Sequence, residues 1–223
     1  MIRFKTIKKK FKSIKGNSLA EFAVTTAMMA TLATTAAPRF SGIGEGAKEK
    51  KTQAEIDKIV IASSNFFNNM VTTEGRGRFP GQEKYNVAVG GYDSEIQLLN
   101  VIGADADQSS TGTFNSFDHV EGANWRSIFG VNAGNAELAA GSAVINDTGT
   151  EGHVEFMAEF ANNAIKSPFQ DGHYIYIVIP GGIAYVDPDG DGNYVQVPCL
   201  ECSPILYVAD NENPSKIFKK YQP

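Results

Sequence analysis

The sequence of 223 residues has few of the residue types on which disulfide-rich domains and metal enzymes depend. It contains two cysteines, three histidines and one tryptophan. Two cysteines exclude a disulfide-dense scaffold. The histidines show no spacing typical of a zinc finger, and no nucleophile elbow, metalloprotease helix or phosphate-binding loop is present. We therefore expect the protein not to be an enzyme.

Acidic residues are absent from residues 1–16, which hold seven Lys and Arg and end at Gly16. Long runs of Leu and Ile are missing from residues 17–37, where seven alanines and five threonines stand beside a single charged residue, Glu21. A cationic leader before an apolar segment is typical of an export signal. As a helix, the 21 residues would be about 32 Å long, enough to cross a bilayer core. Small residues also favour close packing between helices.

Positive charge is scarce in the rest of the chain. The full sequence has 20 Lys and Arg against 25 Asp and Glu, a net charge of −5. Without the seven leader cations, 13 remain against 25, a net charge of −12. A protein that binds nucleic acid usually carries a basic patch. We therefore expect no nucleic-acid partner.

Helix-breaking residues divide the N-terminal part of the chain. Pro38 should kink or interrupt the first helix, and the glycines that follow predict a flexible link ending at residue 46. Apolar residues at helical spacing then resume, among them Ile56, Ile59 and Phe67. The sequence thus predicts a leader over 1–16, an apolar helix and link over 17–46, and a globular head over 47–223.

Strand-forming residues dominate the C-terminal part. The segments 174–179, 183–186, 194–197 and 205–208 are predicted strands, and their short connections favour an antiparallel meander. Residues 154–165 predict a short amphipathic helix, and Trp125 a core position. Residues 81–150 are the least informative part. The predicted class is α+β, with a long N-terminal helix packed against a C-terminal antiparallel sheet.

One acidic loop has the residue pattern of a metal site. Carboxylate and amide side chains alternate along Asp187, Asp189, Asp191 and Asn193, with a glycine at the sixth position of the loop. This matches the first half of a calcium-binding loop, but the twelfth position is Pro198 and not glutamate. The sequence predicts a calcium site here, with a solvated acidic turn as the alternative.

Cys199 and Cys202 form a C-x-x-C motif. In the cytosol such a motif indicates redox chemistry or half of a zinc site. Here it follows a strand and precedes a proline, and two further zinc ligands are not evident. If the protein is exported, a disulfide that closes the loop is the favoured state.

The N-terminal pattern resembles that of type IV pilins and type II secretion pseudopilins. The resemblance lies in the leader closed by Gly16, Glu21 as the fifth residue after it, the apolar segment, and Pro38 at its far end. Pro38-Arg39-Phe40 and Gly77-Arg78-Phe79-Pro80 are also similar to segments of the major pseudopilins. The resemblance implies a membrane peptidase that cuts between Gly16 and Asn17 and methylates Asn17. It also implies that Glu21 pairs with the N-terminus of a neighbouring subunit.

These features predict a structural subunit of a type IV pilus-like filament or a secretion pseudopilus. Its partners would be copies of itself, the prepilin peptidase and the inner-membrane assembly machinery. It would lie in the inner membrane as a precursor, then in a cell-surface pilus or a periplasmic pseudopilus. The resemblance also favours the calcium site. The alternative is an extracytoplasmic calcium-binding or enzymatic domain on a permanent N-terminal anchor, although such an anchor should be richer in large apolar residues.

Overall fold

The computed structural model describes residues 17–103, 112–116, 119–130, 151–169, 172–189 and 194–223. Its helices are α1 (Asn17–Glu74), α2 (Glu95–Ile102), a 3-10 helix (Val120–Asn124) and α3 (Glu151–Glu159). Its strands are β1 (Arg126–Ser127), β2 (Tyr174–Ile179), β3 (Ile183–Val186), β4 (Val195–Pro198), β5 (Ile205–Asp210) and β6 (Phe218–Tyr221). The fold is α+β with antiparallel strands, which confirms the predicted class.

The chain divides into two compact units, Met1–Ala47 and Lys48–Pro223. Helix α1 begins in the first unit and ends in the second. It is continuous through Pro38, Gly44 and Gly46, where the sequence predicts an interruption and a flexible link. Proline removes one hydrogen bond from the helix, and each glycine costs about 1 kcal/mol relative to alanine. The alanine and lysine residues on either side of this stretch have high helix propensity, which offsets part of these costs.

The strands form two antiparallel sheets and not the predicted single meander. The larger sheet has the order β1-β2-β5-β6, whereas β3 and β4 pair only with each other. Strand β2 pairs along its full length with β5, from Tyr174 opposite Asp210 to Ile179 opposite Ile205. All six residues of β2 are buried, so it takes the centre of a sheet, whereas β3 is mostly half-buried and β4 is mostly exposed.

Helices α1 and α3 cover one face of the larger sheet. Ile56, Ile59 and Phe67 of α1 join Tyr176 of β2 and Phe156 of α3 in one buried cluster. The cluster lies within the second unit. The sequence predicts an apolar stripe from Ala54 to Met70, and its middle part, from Ile56 to Phe67, is buried. Ala54 at its start is exposed, and Met70 at its end is only partly buried. The buried part confirms that the stripe packs on the C-terminal sheet.

The opposite face of the sheet is covered by the part of the chain that the sequence left unassigned. Leu98 and Ile102 of α2 pack with Trp125 and with Ile177 and Tyr207 of the sheet. Trp125 has no exposed surface, which confirms its predicted core position. The sheet is therefore sandwiched between two layers, and β2 can be apolar on both faces.

Local signals explain the ends of the two short helices. Ser94 caps α2 by accepting a hydrogen bond from the Gln97 amide, and Gly103 ends it in a left-handed conformation. Helix α3 ends at Glu159, six residues before the predicted end, because Ala161 and Asn162 have φ angles of 51° and 61°. A left-handed backbone cannot continue a right-handed helix.

Candidate functional site

The first candidate site is the surface of α1 over residues 21–31, where every residue is exposed. The exposed fractions of Phe22, Val24, Met28 and Met29 are 70%, 53%, 60% and 69%. Glu21, the one charged residue of the segment, is also exposed. Large apolar side chains exposed together are typical of a surface that another molecule covers.

The segment is less polar than its threonine content indicates, because its threonine hydroxyls form hydrogen bonds within the helix. The Thr25 hydroxyl donates to the Glu21 carbonyl at 2.9 Å, and the Thr31 hydroxyl donates to the Met28 carbonyl at 2.9 Å. Thr26 makes the same kind of bond to the Phe22 carbonyl. Because these hydroxyls are satisfied within the helix, a threonine can be buried without leaving a polar group unpaired. Composition alone does not reveal this arrangement.

The other residues of the predicted processing and assembly site are only partly visible. Gly16 lies outside the described residues, as do the side chains of Asn17 and Pro38. Asn17 is the first residue of α1. In the part of the chain that the structure describes, no helix combines the length and apolar character needed to cross a membrane.

The predicted calcium loop joins β3 to β4. Val186 pairs with Val195, so the two ends of the loop lie side by side. Asp187 and Asp189 are described, whereas Asp191 and Asn193 lie outside the described residues. Carboxylate and amide oxygens suit a hard cation such as calcium. Among the described residues no group of three His, Cys, Asp or Glu could hold a metal ion, and the calcium site stays a prediction.

Cys199 and Cys202 are joined by a disulfide that closes a tight loop after β4. The loop is fastened to the turn before β3, because the Gly182 amide donates to the Cys202 carbonyl at 2.8 Å and Cys199 donates back at 2.9 Å. Arg76, just beyond α1, donates to the Leu200 carbonyl and stacks over the ring of Tyr85 at 3.8 Å. The loop thus connects the small sheet to the end of α1.

A shallow groove of about 280 Å³ lies between α2 and the β3–β4 pair. Tyr185, Tyr194 and Glu95 line it, together with the apolar residues Ile183 and Ile205. The Glu95 carboxylate already accepts hydrogen bonds from the Tyr207 hydroxyl and the Lys220 ammonium. The Glu95 carboxylate therefore has a structural role.

The segment Gly77-Arg78-Phe79-Pro80 fastens the end of α1 to α3. The Arg78 guanidinium contacts Glu74 at 3.1 Å and Glu155 at 2.8 Å. The second oxygen of Glu155 accepts the Gly81 amide at 2.7 Å. These two carboxylates raise the pKa of Arg78 and outweigh partial burial, the largest single influence, which lowers it. Phe79 has no exposed surface, so the segment has a structural role.

Two buried ionisable residues were not singled out by the sequence. His173 is hydrogen-bonded to Ser127, whose hydroxyl also accepts the Gly130 amide at 2.7 Å. Asp210 accepts the Ser167 hydroxyl at 2.7 Å and the Glu212 amide at 2.9 Å. Burial lowers the pKa of His173 to about 4 and raises that of Asp210 to about 6. Ser127 and Asp210 have no exposed surface, and His173 has 2%.

No protein-family model, no curated protein and no solved structure matches this chain. Functional inference therefore rests on the residues and their arrangement.

Proposed function

We propose that this protein is a structural subunit of a filament of the type IV pilus or secretion-pseudopilus kind, assembled through the first part of α1. The observation that carries the proposal is that every residue of 21–31 is exposed, with Phe22 and Met29 about 70% exposed. A single chain gains nothing from leaving such a surface in water. Packing the helices of many copies together would bury it.

The threonine hydrogen bonds support this use of the helix. Thr25, Thr26 and Thr31 bond to carbonyls of their own helix. A helix with these residues can enter lipid during export and later pack tightly against other helices, since both environments penalise unpaired polar groups. This removes the conflict between the threonine content and an apolar setting.

Glu21 gives the proposal a specific pairing. It is the one charged residue among residues 17–37, and a carboxylate buried between apolar helices needs a partner of opposite charge. By the family resemblance, cleavage after Gly16 frees the amine of Asn17, which would supply that charge from a neighbouring copy. The α+β head, with α1 packed on an antiparallel sheet, is consistent with the pilin-like arrangement.

The partners and location follow from the same proposal. The precursor would lie in the inner membrane, where the prepilin peptidase and the assembly machinery act on it, and the mature chain in a surface pilus or a periplasmic pseudopilus. We propose no catalytic role for it.

The test combines processing with assembly. The mass of the exported protein should correspond to a chain that begins at Asn17, and electron microscopy of sheared material should show filaments. Gly16→Leu should leave an uncleaved precursor, because the resemblance implies a small residue at the cut. A mature N-terminus elsewhere, or no filaments, would overturn the proposal.

Glu21→Gln should leave cleavage intact but strongly reduce filament yield, because the buried amine loses its counter-charge. The matched control is Glu45→Gln, which removes an exposed charge from the same helix and should assemble normally. Filament yield at the wild-type level from Glu21→Gln would show that the charge pair is not needed.

A further inference from the structure

The charges along the second part of α1 are distributed very unevenly. Seven of the 11 residues of 48–58 are Asp, Glu or Lys, whereas none of the 15 residues of 59–73 is charged. Buried positions explain only half of this, because the helix buries one face alone. The solvent side of a helix normally carries charged residues. The absence of charged residues from the solvent side over about four turns requires another explanation.

Seven residues of 59–73 are exposed. Five of them form what we call the neutral stripe: Ile61, Asn65, Asn68, Asn69 and Thr72. The other two, Val71 and Thr73, lie at its margins and are also uncharged. The spacing of three and four within the stripe places its residues on one side of the helix. That side is opposite Ile56, Ile59 and Ser63, which are buried. Ile61 is 60% exposed, so an apolar side chain stands at one end of the stripe.

The hydrogen bonds of the stripe leave its amide groups open to a partner. The Thr72 hydroxyl donates to the Asn68 carbonyl at 3.1 Å, and Thr73 donates to the Asn69 carbonyl at 3.0 Å. These threonines repeat the hydrogen bonding of residues 21–31. Within the described residues, the side-chain amides of Asn65, Asn68 and Asn69 make no hydrogen bond.

The chemistry of the stripe excludes several kinds of partner. It has no cation for nucleic acid or for anionic lipid headgroups, and no carboxylate for a basic protein. Its asparagines are too polar to enter a bilayer. An uncharged protein surface with its own amide donors and acceptors fits these side chains.

A second copy of this chain fits that description. An asparagine amide both donates and accepts, so two such surfaces can satisfy each other. Copies without the leader carry a net charge of −12 and repel one another, and an uncharged surface is where they can approach most closely. Since the first part of α1 is the proposed assembly surface, a head contact on the same helix would form in the same assembly.

We propose that the neutral stripe of α1 is a contact between the heads of adjacent copies. This inference rests on the proposed filament function but concerns a different surface. The two can fail separately, because a contact between copies can be detected whether or not filaments form.

The first experiment is photo-crosslinking of the full chain in intact cells. Asn68→p-benzoylphenylalanine should give an adduct with the mass of two copies. Gln53→p-benzoylphenylalanine, an exposed position on the charged part of the same helix, should give little. An adduct with a different protein or with lipid, no adduct from position 68, or equal adducts from both positions would overturn the inference.

The second experiment introduces charge without changing shape. Asn65→Asp together with Asn68→Asp should lower filament yield by about tenfold or more, because each contact would bury unpaired carboxylates between copies. Gln53→Glu makes the same amide-to-carboxylate change outside the stripe and should have little effect. Wild-type yield from the double variant would overturn the inference while leaving the filament proposal intact. If the wild type forms no filaments, only the filament proposal is overturned. The photo-crosslinked adducts would still test whether the neutral stripe is a contact between copies.

Discussion

His173, just before β2, and Asp210, at the end of β5, show how burial acts on single ionisable residues. Burial disfavours the charged form of each side chain, so the pKa of His173 falls to about 4 and that of Asp210 rises to about 6. Both are expected to be mostly neutral near pH 5. Neither residue belongs to a motif that the sequence analysis could recognise, because their burial depends on segments distant in the chain.

The signs of the two pH effects are opposite. His173 binds more protons in the unfolded chain, so its contribution is present above pH 6.5 and is lost as the pH falls towards 4. Asp210 binds more protons in the folded protein, because its pKa is raised from 3.8 to about 6. Its contribution to stability is therefore present at low pH and is lost as the pH rises through 6.

Asp210→Asn isolates one of these effects. The amide remains uncharged at every pH, whereas the wild type loses stability as Asp210 ionises. The free energy of unfolding of the variant should therefore rise relative to that of the wild type between pH 4 and pH 7. A shift of this size corresponds to roughly 3 kcal/mol. Urea unfolding of both proteins at several pH values measures the difference, in which the contribution of His173 cancels. A difference that does not change with pH would contradict the prediction.

The contacts between α1, α3 and the segment after α1 require glycine at two positions, Gly77 and Gly152. A Cβ atom at Gly77 would lie 2.1 Å from the ring of Phe67, and one at Gly152 would lie 2.1 Å from the hydroxyl of Tyr176. Phe67 cannot swing away freely, because it is buried and its ring lies 5.2 Å from that of Phe79. The sequence identified Gly77 through a family resemblance, whereas the structure gives a steric reason for it.

Gly77→Ala should therefore destabilise the head by about 1 to 3 kcal/mol, the usual cost of overpacking a core. Gly46→Ala is the matched control, since no atom lies within 4 Å of its added Cβ. In a helix this change is neutral or stabilises by up to about 1 kcal/mol. Thermal unfolding of both variants tests the pair, and equal melting temperatures would show that Phe67 gives way without cost.

At the scale of the whole molecule, the larger sheet is covered on both faces. Helix α1 and the cluster around Tyr176 cover one face, and α2 with Trp125 covers the other. The acidic loop joins the two strands of the separate small sheet. A cation in that loop would stabilise the hairpin by relieving repulsion between its carboxylates, and global unfolding would report its binding.

If calcium binds the folded protein and not the unfolded chain, calcium should raise the melting temperature. The gain in the free energy of unfolding would be about 2.7 kcal/mol at a hundredfold excess over the dissociation constant. Asp189→Ala together with Asp191→Ala should abolish the response, whereas Glu83→Ala, at an exposed position elsewhere, should retain it. Identical melting curves in calcium and in chelator would leave only an acidic turn.

The sequence by itself determined the parts that depend on local pattern. The apolar stripe predicted from Ala54 to Met70 marks the buried side of α1 everywhere but at its two ends, since helical spacing decides which side chains share a face. The run from Tyr174 to Ile179 marks a strand, because β-branched and aromatic residues favour extended structure. The threonine-rich segment and its single charge, Glu21, were also evident from the sequence, as was the resemblance that rests on the leader, Glu21 and Pro38.

Only the tertiary structure decided which strands pair, what covers the second face of the sheet, and which polar residues are buried. Strand β2 pairs with β5 and not with β3, the next strand in the chain, because pairing depends on complementary burial and not on order in the chain. α2 is only eight residues long, so its place against Ile177 and Trp125 depends on contacts that no local pattern records. The burial of His173 and Asp210 likewise results from packing between distant segments, and their pKa values follow from that packing.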